Sequence, residues 1–71
     1  MDTRTVYKVT TRRDTSDTLR VVQVVIIYAS AIPVDKDAHP EVYYYETVPP
    51  DFMTIPYAYT VEGGMLLYDP Q

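Results

Sequence analysis

Residues 19–30 read LRVVQVVIIYAS and hold the longest apolar run of the 71-residue chain. Six Val and Ile side chains fall within residues 21–27, interrupted only by Gln23. Such side chains lose rotamer freedom in a helix and pack well on a pleated strand, so the stretch predicts a β-strand. Strict alternation gives this strand two apolar faces: Leu19, Val21, Val25, Ile27 and Ala29 on one, and Val22, Val24 and Ile26 on the other. We therefore expect cover on both faces, from the rest of the chain or from a second copy.

The segment before this strand predicts its hairpin partner. Residues 3–12 alternate between a face with Tyr7 and Val9 and a face with Arg4, Lys8 and Arg12, as a half-buried strand does. Residues 14–17, DTSD, are turn formers, so residues 3–30 predict one β-hairpin. The alternative is a helix that begins at Ser16 or Asp17 as its N-cap.

The C-terminal half predicts three shorter strands. Residues 31–40 lack a sustained period and predict a loop, residues 41–48 predict a strand that ends at two prolines, and residues 51–54 fit one helical turn. Gly63-Gly64 fits a two-residue hairpin turn between residues 57–62 and 65–68. This turn sets the register of the pair: Glu62 faces Met65, Val61 faces Leu66, Thr60 faces Leu67 and Tyr59 faces Tyr68.

The expected fold is all-β: a small antiparallel five-stranded sheet or barrel, made of two hairpins and a middle strand, in one domain over residues 1–71. A chain of this length buries only about 60 to 65% of its unfolded surface, so its stability is thin. If the apolar side chains of the strand at residues 19–30 were left half exposed to water, much of that stability would be lost. We therefore expect a two-fold homodimer that completes the cover.

Composition indicates the setting of the protein. The chain has no cysteine, no apolar run near the roughly 20 residues of a membrane span, and no apolar core of a signal peptide in its polar first 20 residues. We expect a cytoplasmic protein that does not enter a membrane. Residues 1–20 carry five basic and three acidic residues, a net charge of +2, whereas residues 21–71 carry one basic and seven acidic residues, a net charge of −6.

Residues with catalytic or metal-binding chemistry are few. Asp35, Asp37 and His39 stand at alternate positions and resemble a ligand set for a divalent metal, but Lys36 lies among them and a solvated loop explains them as well. Ser16 and Ser30 lack the Gly-x-Ser-x-Gly context of an activated nucleophile, and no glycine-rich phosphate loop is present. We expect a protein that is not an enzyme and needs no cofactor or metal.

Eight tyrosines, with one Phe and no Trp, are the outlier of the composition. Tyrosine suits strands structurally, because its ring covers a sheet face while its hydroxyl stays wet. It also anchors interfaces at low entropic cost. The favoured hypothesis is a protein-interaction module with a tyrosine-rich, acidic β surface, whose predicted binding residues are Tyr43, Tyr44, Tyr45, Glu46, Tyr57 and Tyr59.

Two alternatives follow from charge. The N-terminal hairpin could bind nucleic acid through Arg4, Lys8, Arg12, Arg13 and Arg20, although the acidic balance of the remaining chain weighs against it. The acidic groups set among tyrosines could instead mimic the charge of a nucleic-acid backbone in a small inhibitor. These acidic groups are Asp35, Asp37, Glu41, Glu46, Asp51 and Glu62.

Overall fold

The computed structural model describes residues 3–14, 17–35, 38 and 40–70. Five strands make up the fold: β1 (Thr5–Arg13), β2 (Leu19–Tyr28), β3 (Val42–Tyr45), β4 (Tyr59–Glu62) and β5 (Met65–Tyr68). They form one sheet in the order β3-β1-β2-β4-β5, with all neighbours antiparallel, curled into a half-barrel. Over the described ranges no α-helix occurs, and short 3₁₀ turns include Ala29–Ala31 and Pro56–Ala58. The predicted all-β antiparallel class is confirmed.

The β1–β2 hairpin forms as predicted, and since β2 begins at Leu19 the helical alternative for this region is wrong. Its register changes midway: Thr10 lies opposite Gln23 and Thr11 opposite Val21, so Val22 is an extra residue in a β-bulge. The strict alternation predicted for residues 19–30 is therefore wrong. Residues directly opposite one another share a face, and the bulge shifts the parity of β2 by one.

The bulge gathers apolar side chains on one face, here called the inner face. On β2 this face carries Leu19 and Val21 before the bulge, and Val24, Ile26 and Tyr28 after it. The opposite, outer face of β2 carries Arg20, Gln23, Val25 and Ile27. Apolar residues at both odd and even positions of β2 therefore lie on one face, because the bulge at Val22 changes which positions point inward.

The inner face holds the core. Val9, Val21, Tyr59 and Val61 are buried on it, and Phe52 packs against them with no exposed surface. Phe52 comes from the segment between β3 and β4, where Thr54 and Ile55 both donate from their backbone N–H to the Asp51 carbonyl. This is the predicted single helical turn. This segment covers the inner face, and the buried Phe52 ring forms a second layer on the curled sheet.

The Gly63-Gly64 hairpin confirms the predicted register in full. Tyr59 pairs with Tyr68, Thr60 with Leu67, Val61 with Leu66 and Glu62 with Met65. Both glycines have positive φ, 59° and 81°, as a type I′ turn requires. The remaining strand is shorter than predicted, since β3 ends at Tyr45, four residues before Pro49.

The molecule is thin, with extents of 41 × 28 × 17 Å. The long axis accommodates the β1–β2 hairpin, because a ten-residue strand spans roughly 33 Å. In the described residues no helix is long and apolar enough to cross a membrane.

Candidate interaction surface

The three consecutive tyrosines of β3 divide between the faces of the sheet. Tyr43 lies opposite Val9 and Tyr45 opposite Tyr7, so both rings belong to the inner face. Their centroids are 6.4 Å apart with an interplanar angle of 23°, a stacked arrangement. Tyr44 lies opposite Lys8 on the outer face. Alternation along a strand therefore presents two of the three predicted rings together.

The Tyr45 hydroxyl joins β3 to the β4–β5 turn. It donates a hydrogen bond of 2.9 Å to the main-chain carbonyl of Gly64. Burial of the ring, and to a lesser degree the neighbouring Tyr43, raises the pKa of Tyr45 above its ordinary value of 10.0. The hydroxyl therefore keeps its proton at neutral pH and holds the two ends of the curled sheet together.

An apolar groove lies beside this hydrogen bond, where β3 runs on into residues 47–49 and β5 begins. Its volume is about 440 Å³. We call it the Tyr45 groove and define it by the lining residues Tyr45, Val48, Pro49, Met65 and Leu66. Val48 and Leu66 also pack on the core, whereas Met65 is 67% exposed. The groove thus has a firm floor and an exposed apolar rim.

Two acidic residues adjoin lining residues of the Tyr45 groove. Glu46 follows Tyr45 directly and Glu62 pairs with Met65 across the β4–β5 hairpin, and both are exposed. Glu46 lies 3.9 Å from Arg4, with both side chains more than 70% exposed. An ion pair so exposed holds neither side chain firmly, so Glu46 stays available to a partner.

The other two predicted tyrosines lie elsewhere. Tyr59 is only 6% exposed and packs edge-to-face on Phe52 and Tyr68, with centroid distances of 5.1 and 5.5 Å. It is a core residue, so we leave it out of the proposed surface. Tyr57 is 64% exposed on the 3₁₀ turn Pro56–Ala58 and does not line the groove. The predicted set is thus divided, with Tyr43, Tyr45 and Glu46 brought together.

Sequence reasoning missed the other half of the groove. Val48, Pro49, Met65 and Leu66 were assigned only to strands or their ends. The available signal was the Gly63-Gly64 turn, because a tight turn places an apolar Met-Leu pair at the tip of a hairpin. No local pattern shows that this tip reaches β3.

Besides Arg4, which lies 3.9 Å from Glu46, two of the five predicted nucleic-acid contacts have partners inside the chain. Arg13 Nη1 lies 3.0 Å from Asp17 Oδ1. The Arg20 side chain is 16% exposed, and its Nη1 donates to the carbonyls of Tyr57 at 3.1 Å and Asp69 at 3.0 Å. Arg20 Nε lies 3.8 Å from Asp14 Oδ2, and Arg20 Nη2 lies 3.8 Å from Asp69 Oδ2.

Lys8 and Arg12 lie on the outer face of β1, and Arg4, one residue before the strand, is in phase with them. Nucleic-acid binding through this hairpin stays a prediction. Fewer cations are available for it, because the side chains of Arg13 and Arg20 contact other parts of the chain, and it would have to use the cations of the outer face.

The predicted loop chemistry is only partly visible. Lys36, Asp37 and His39 lie outside the described residues, and among those described no group of three metal-binding side chains comes together. The acidic residues of the mimic hypothesis that are described are exposed: Asp35, Glu41, Glu46, Asp51 and Glu62.

Comparison of the chain with protein-family models, with curated proteins and with solved structures found no match. The geometry of the chain itself therefore carries the functional argument.

Proposed function

We propose that the protein is a non-enzymatic interaction module that binds a protein partner through the Tyr45 groove. The observation that carries this proposal is an apolar groove with a fixed wall and an exposed rim. The Tyr45 hydroxyl is anchored on Gly64, Leu66 is half-buried, and Met65 stands 67% exposed above them. Pre-formed apolar concavities with a few polar groups are where partners commonly bind.

The lining chemistry favours binding over catalysis. The groove offers aliphatic carbons, a thioether, backbone, the Thr47 hydroxyl and one phenol whose proton is already donated to a carbonyl. Tyrosine and methionine are enriched in interface cores, since they bury large areas and adapt their contacts. A phenol whose pKa is raised makes a poor general base at neutral pH.

The rim indicates the chemistry of the partner. Because Glu46 and Glu62 border the groove, an apolar side chain flanked by Lys or Arg suits it best. The apolar side chain would fill the groove beside Met65, and the cation would meet a carboxylate at the edge. Rim charges contribute mainly to the rate of association and to specificity.

The test is affinity capture from the native cell on the immobilised protein, followed by mass spectrometry, with the wild type and two variants compared. We expect Met65→Glu to lose the captured partner, since a charge on the rim must be desolvated on binding. Val34→Glu introduces the same charge at a fully exposed valine outside the groove, so this variant should still capture the partner. The same set of captured proteins on wild type and both variants would refute the groove as the binding site.

The acidic rim favours one second candidate, a small inhibitor that mimics nucleic-acid charge. Exposed carboxylates at positions 41, 46 and 62 supply the negative charge that this function needs. Replacing all three by Gln should abolish partner binding in that case and leave the fold intact. Binding that withstands both these substitutions and high salt would exclude the mimic, because charge-dominated association falls steeply with ionic strength.

A further inference from the structure

One edge of β2 has no strand beside it over most of its length. β1 pairs with β2 along residues 19–28, whereas β4 reaches only Leu19 and Arg20 on the other edge. The 3₁₀ turn Pro56–Ala58 then follows, and its Tyr57 carbonyl lies beside Arg20. Within the described parts of the chain, nothing pairs with the outer edge of residues 23–28.

The backbone groups on that edge can be assigned from two hydrogen bonds. Ala29 N–H donates to the Arg4 carbonyl at 2.7 Å, one step beyond the Thr5–Tyr28 pair. Since bonded and non-bonded pairs alternate in an antiparallel ladder, Ile27 and Val25 also bond to β1. The amides and carbonyls of Val24, Ile26 and Tyr28 must then point away from it.

A second hydrogen bond gives the same assignment independently. Thr11 N–H donates to the Glu41 carbonyl at 2.8 Å, so the backbone groups of Thr11 point toward the β3 side. By alternation along β1, those of Val9 and Tyr7 point the same way, and those of Lys8 and Val6 point toward β2. Both routes leave three donors and three acceptors of β2 directed outward.

The side chains along this edge are uncharged and, apart from Gln23, mostly apolar. Val22 is 37% exposed, Val25 41%, Ile26 54% and Tyr28 60%. Residues 21–32 contain no charged residue and no proline. Monomeric proteins usually protect an exposed edge with lysine, proline or a bulge, and here the bulge at Val22 precedes the open part.

The accessible surface also exceeds that of an isolated chain. A folded monomer of 8.2 kDa is expected to expose about 4,500 Å². The protein exposes 5098 Å². The excess, roughly 600 Å², approaches the 800 Å² or so that each partner contributes to a standard interface.

We propose that two copies of the chain pair through this edge, β2 against β2, antiparallel and about a two-fold axis near Val25 or Ile26. Such a pairing is isologous, so each copy gives the other the same three donors and three acceptors. The neutral edge brings no like charges together, and the two sheets become one. This inference is independent of the Tyr45 groove, which lies on β3 and the β4–β5 hairpin.

The first test is the mass in solution by light scattering on a sizing column. We expect twice 8.2 kDa for the wild type. Ile26→Pro should raise the dissociation constant by about tenfold or more, because it removes an outward N–H without breaking a bond to β1. Ile26→Lys should do the same by placing a charge at the two-fold axis. Met65→Lys, an equal change at an exposed apolar residue on another strand, should leave the mass unchanged.

Two outcomes overturn the proposal. One is a wild-type mass that stays at 8.2 kDa up to about 0.5 mM, which leaves only an association too weak to matter. The other is a dimer that persists in both Ile26 variants while circular dichroism shows them folded. Met65→Glu with a lost partner and an unchanged mass would show that the groove and the edge act separately.

A cross-link gives the geometry. Opposed side chains in an antiparallel pair have Cβ atoms about 4.5–5.5 Å apart, so Val25→Cys or Ile26→Cys should form an inter-chain disulfide in mild oxidant. Val34→Cys, fully exposed in the loop that follows β2 and outside the paired edge, is the matched control. Equal cross-linking of Val34→Cys and both edge variants would show random collision and contradict the proposed pairing.

Discussion

Gly64 combines open surroundings with a backbone conformation that side chains resist. Its φ is 81°, and a Cβ atom placed there would meet no heavy atom within 4 Å. Any cost of substitution is therefore conformational and not steric. A non-glycine residue with positive φ pays roughly 1 kcal/mol or more, and a β-branched one pays most.

We therefore expect Gly64→Val to lower the melting temperature by several degrees, since about 1 kcal/mol moves a domain of this size by about 4 to 8 °C. Gly63→Asn is the control, because asparagine tolerates the first position of a type I′ turn. Thermal unfolding followed by circular dichroism measures both. Equal melting temperatures for the wild type and Gly64→Val would show that the turn does not hold the hairpin.

Tyr45 makes stability depend on pH in the alkaline range. Its folded pKa is raised above 10.0, chiefly by burial, so the unfolded chain releases this proton first. The contribution of Tyr45 to stability is complete below pH 10 and is lost as the pH rises through the folded value.

Tyr45→Phe should remove the loss of folding stability that the ionisation of Tyr45 causes at alkaline pH. At neutral pH the same variant should cost about 0.5–1.5 kcal/mol, because the bond to Gly64 is gone. Urea unfolding of both proteins at a series of pH values measures the difference. A constant difference between them from neutral to strongly alkaline pH would contradict the role given to this hydroxyl.

Among the elements, β2 contains one residue more than its pairing with β1 needs. Val22 is unpaired in the bulge, and this extra residue explains why Leu19 and Val21 share a face with Val24 and Ile26. Deleting Val22 would place Val21 directly before Gln23 and join the two halves of the ladder in one regular register, so Leu19 and Val21 would stay on the inner face. Val21, which is 1% exposed in the core, would keep its position.

We expect the Val22 deletion to keep a cooperative fold, because every other residue of β2 retains its partner on β1 and only the bulge is lost. Deleting Val34, another valine but fully exposed in a loop, should likewise have little effect. Dispersed amide signals in a two-dimensional NMR spectrum report on both variants. Loss of dispersion in the Val22 deletion alone would show that the fold needs the bulge itself and not only the register on either side of it.

Sequence patterns predict some of these elements well and others not at all. The Gly63-Gly64 hairpin was predictable pair by pair, since its register depends on two adjacent residues and a known turn type. The bulge was not, because Val22 resembles its neighbours and nothing local marks it as the extra residue. Half of the groove was also missed, because the approach of Met65 to Tyr45 depends on how far the sheet curls, and no local pattern records that curvature.

In the whole molecule, Arg20 ties together segments distant in sequence. Its guanidinium binds the Tyr57 carbonyl of the 3₁₀ turn and the Asp69 carbonyl near the C-terminus, and Asp14 in the hairpin turn lies beside it. Nε and Nη2 make no hydrogen bond within the described chain, and each lies 3.8 Å from a carboxylate oxygen. The basic residue proposed for nucleic acid thus has a structural use.

We expect Arg20→Ala to destabilise the fold by about 1.5–3 kcal/mol, the usual contribution of hydrogen bonds from a charged group with little exposure. Arg12→Ala, its exposed cross-strand neighbour, should cost well under 1 kcal/mol. Chemical denaturation measures both changes. Similar losses for the two variants would mean that Arg20 acts by charge alone.

The position of Phe52 bears on the order in which the chain folds. The two hairpins close through contacts between neighbouring segments, whereas Phe52 must bring its segment back over strands formed much earlier in the sequence. We therefore expect its contacts with Val9 and Val21 to form after the rate-limiting step. A smaller side chain such as leucine at this position would leave the folding rate nearly unchanged and speed unfolding, so the lifetime of the native state is governed by how long this one ring stays in place.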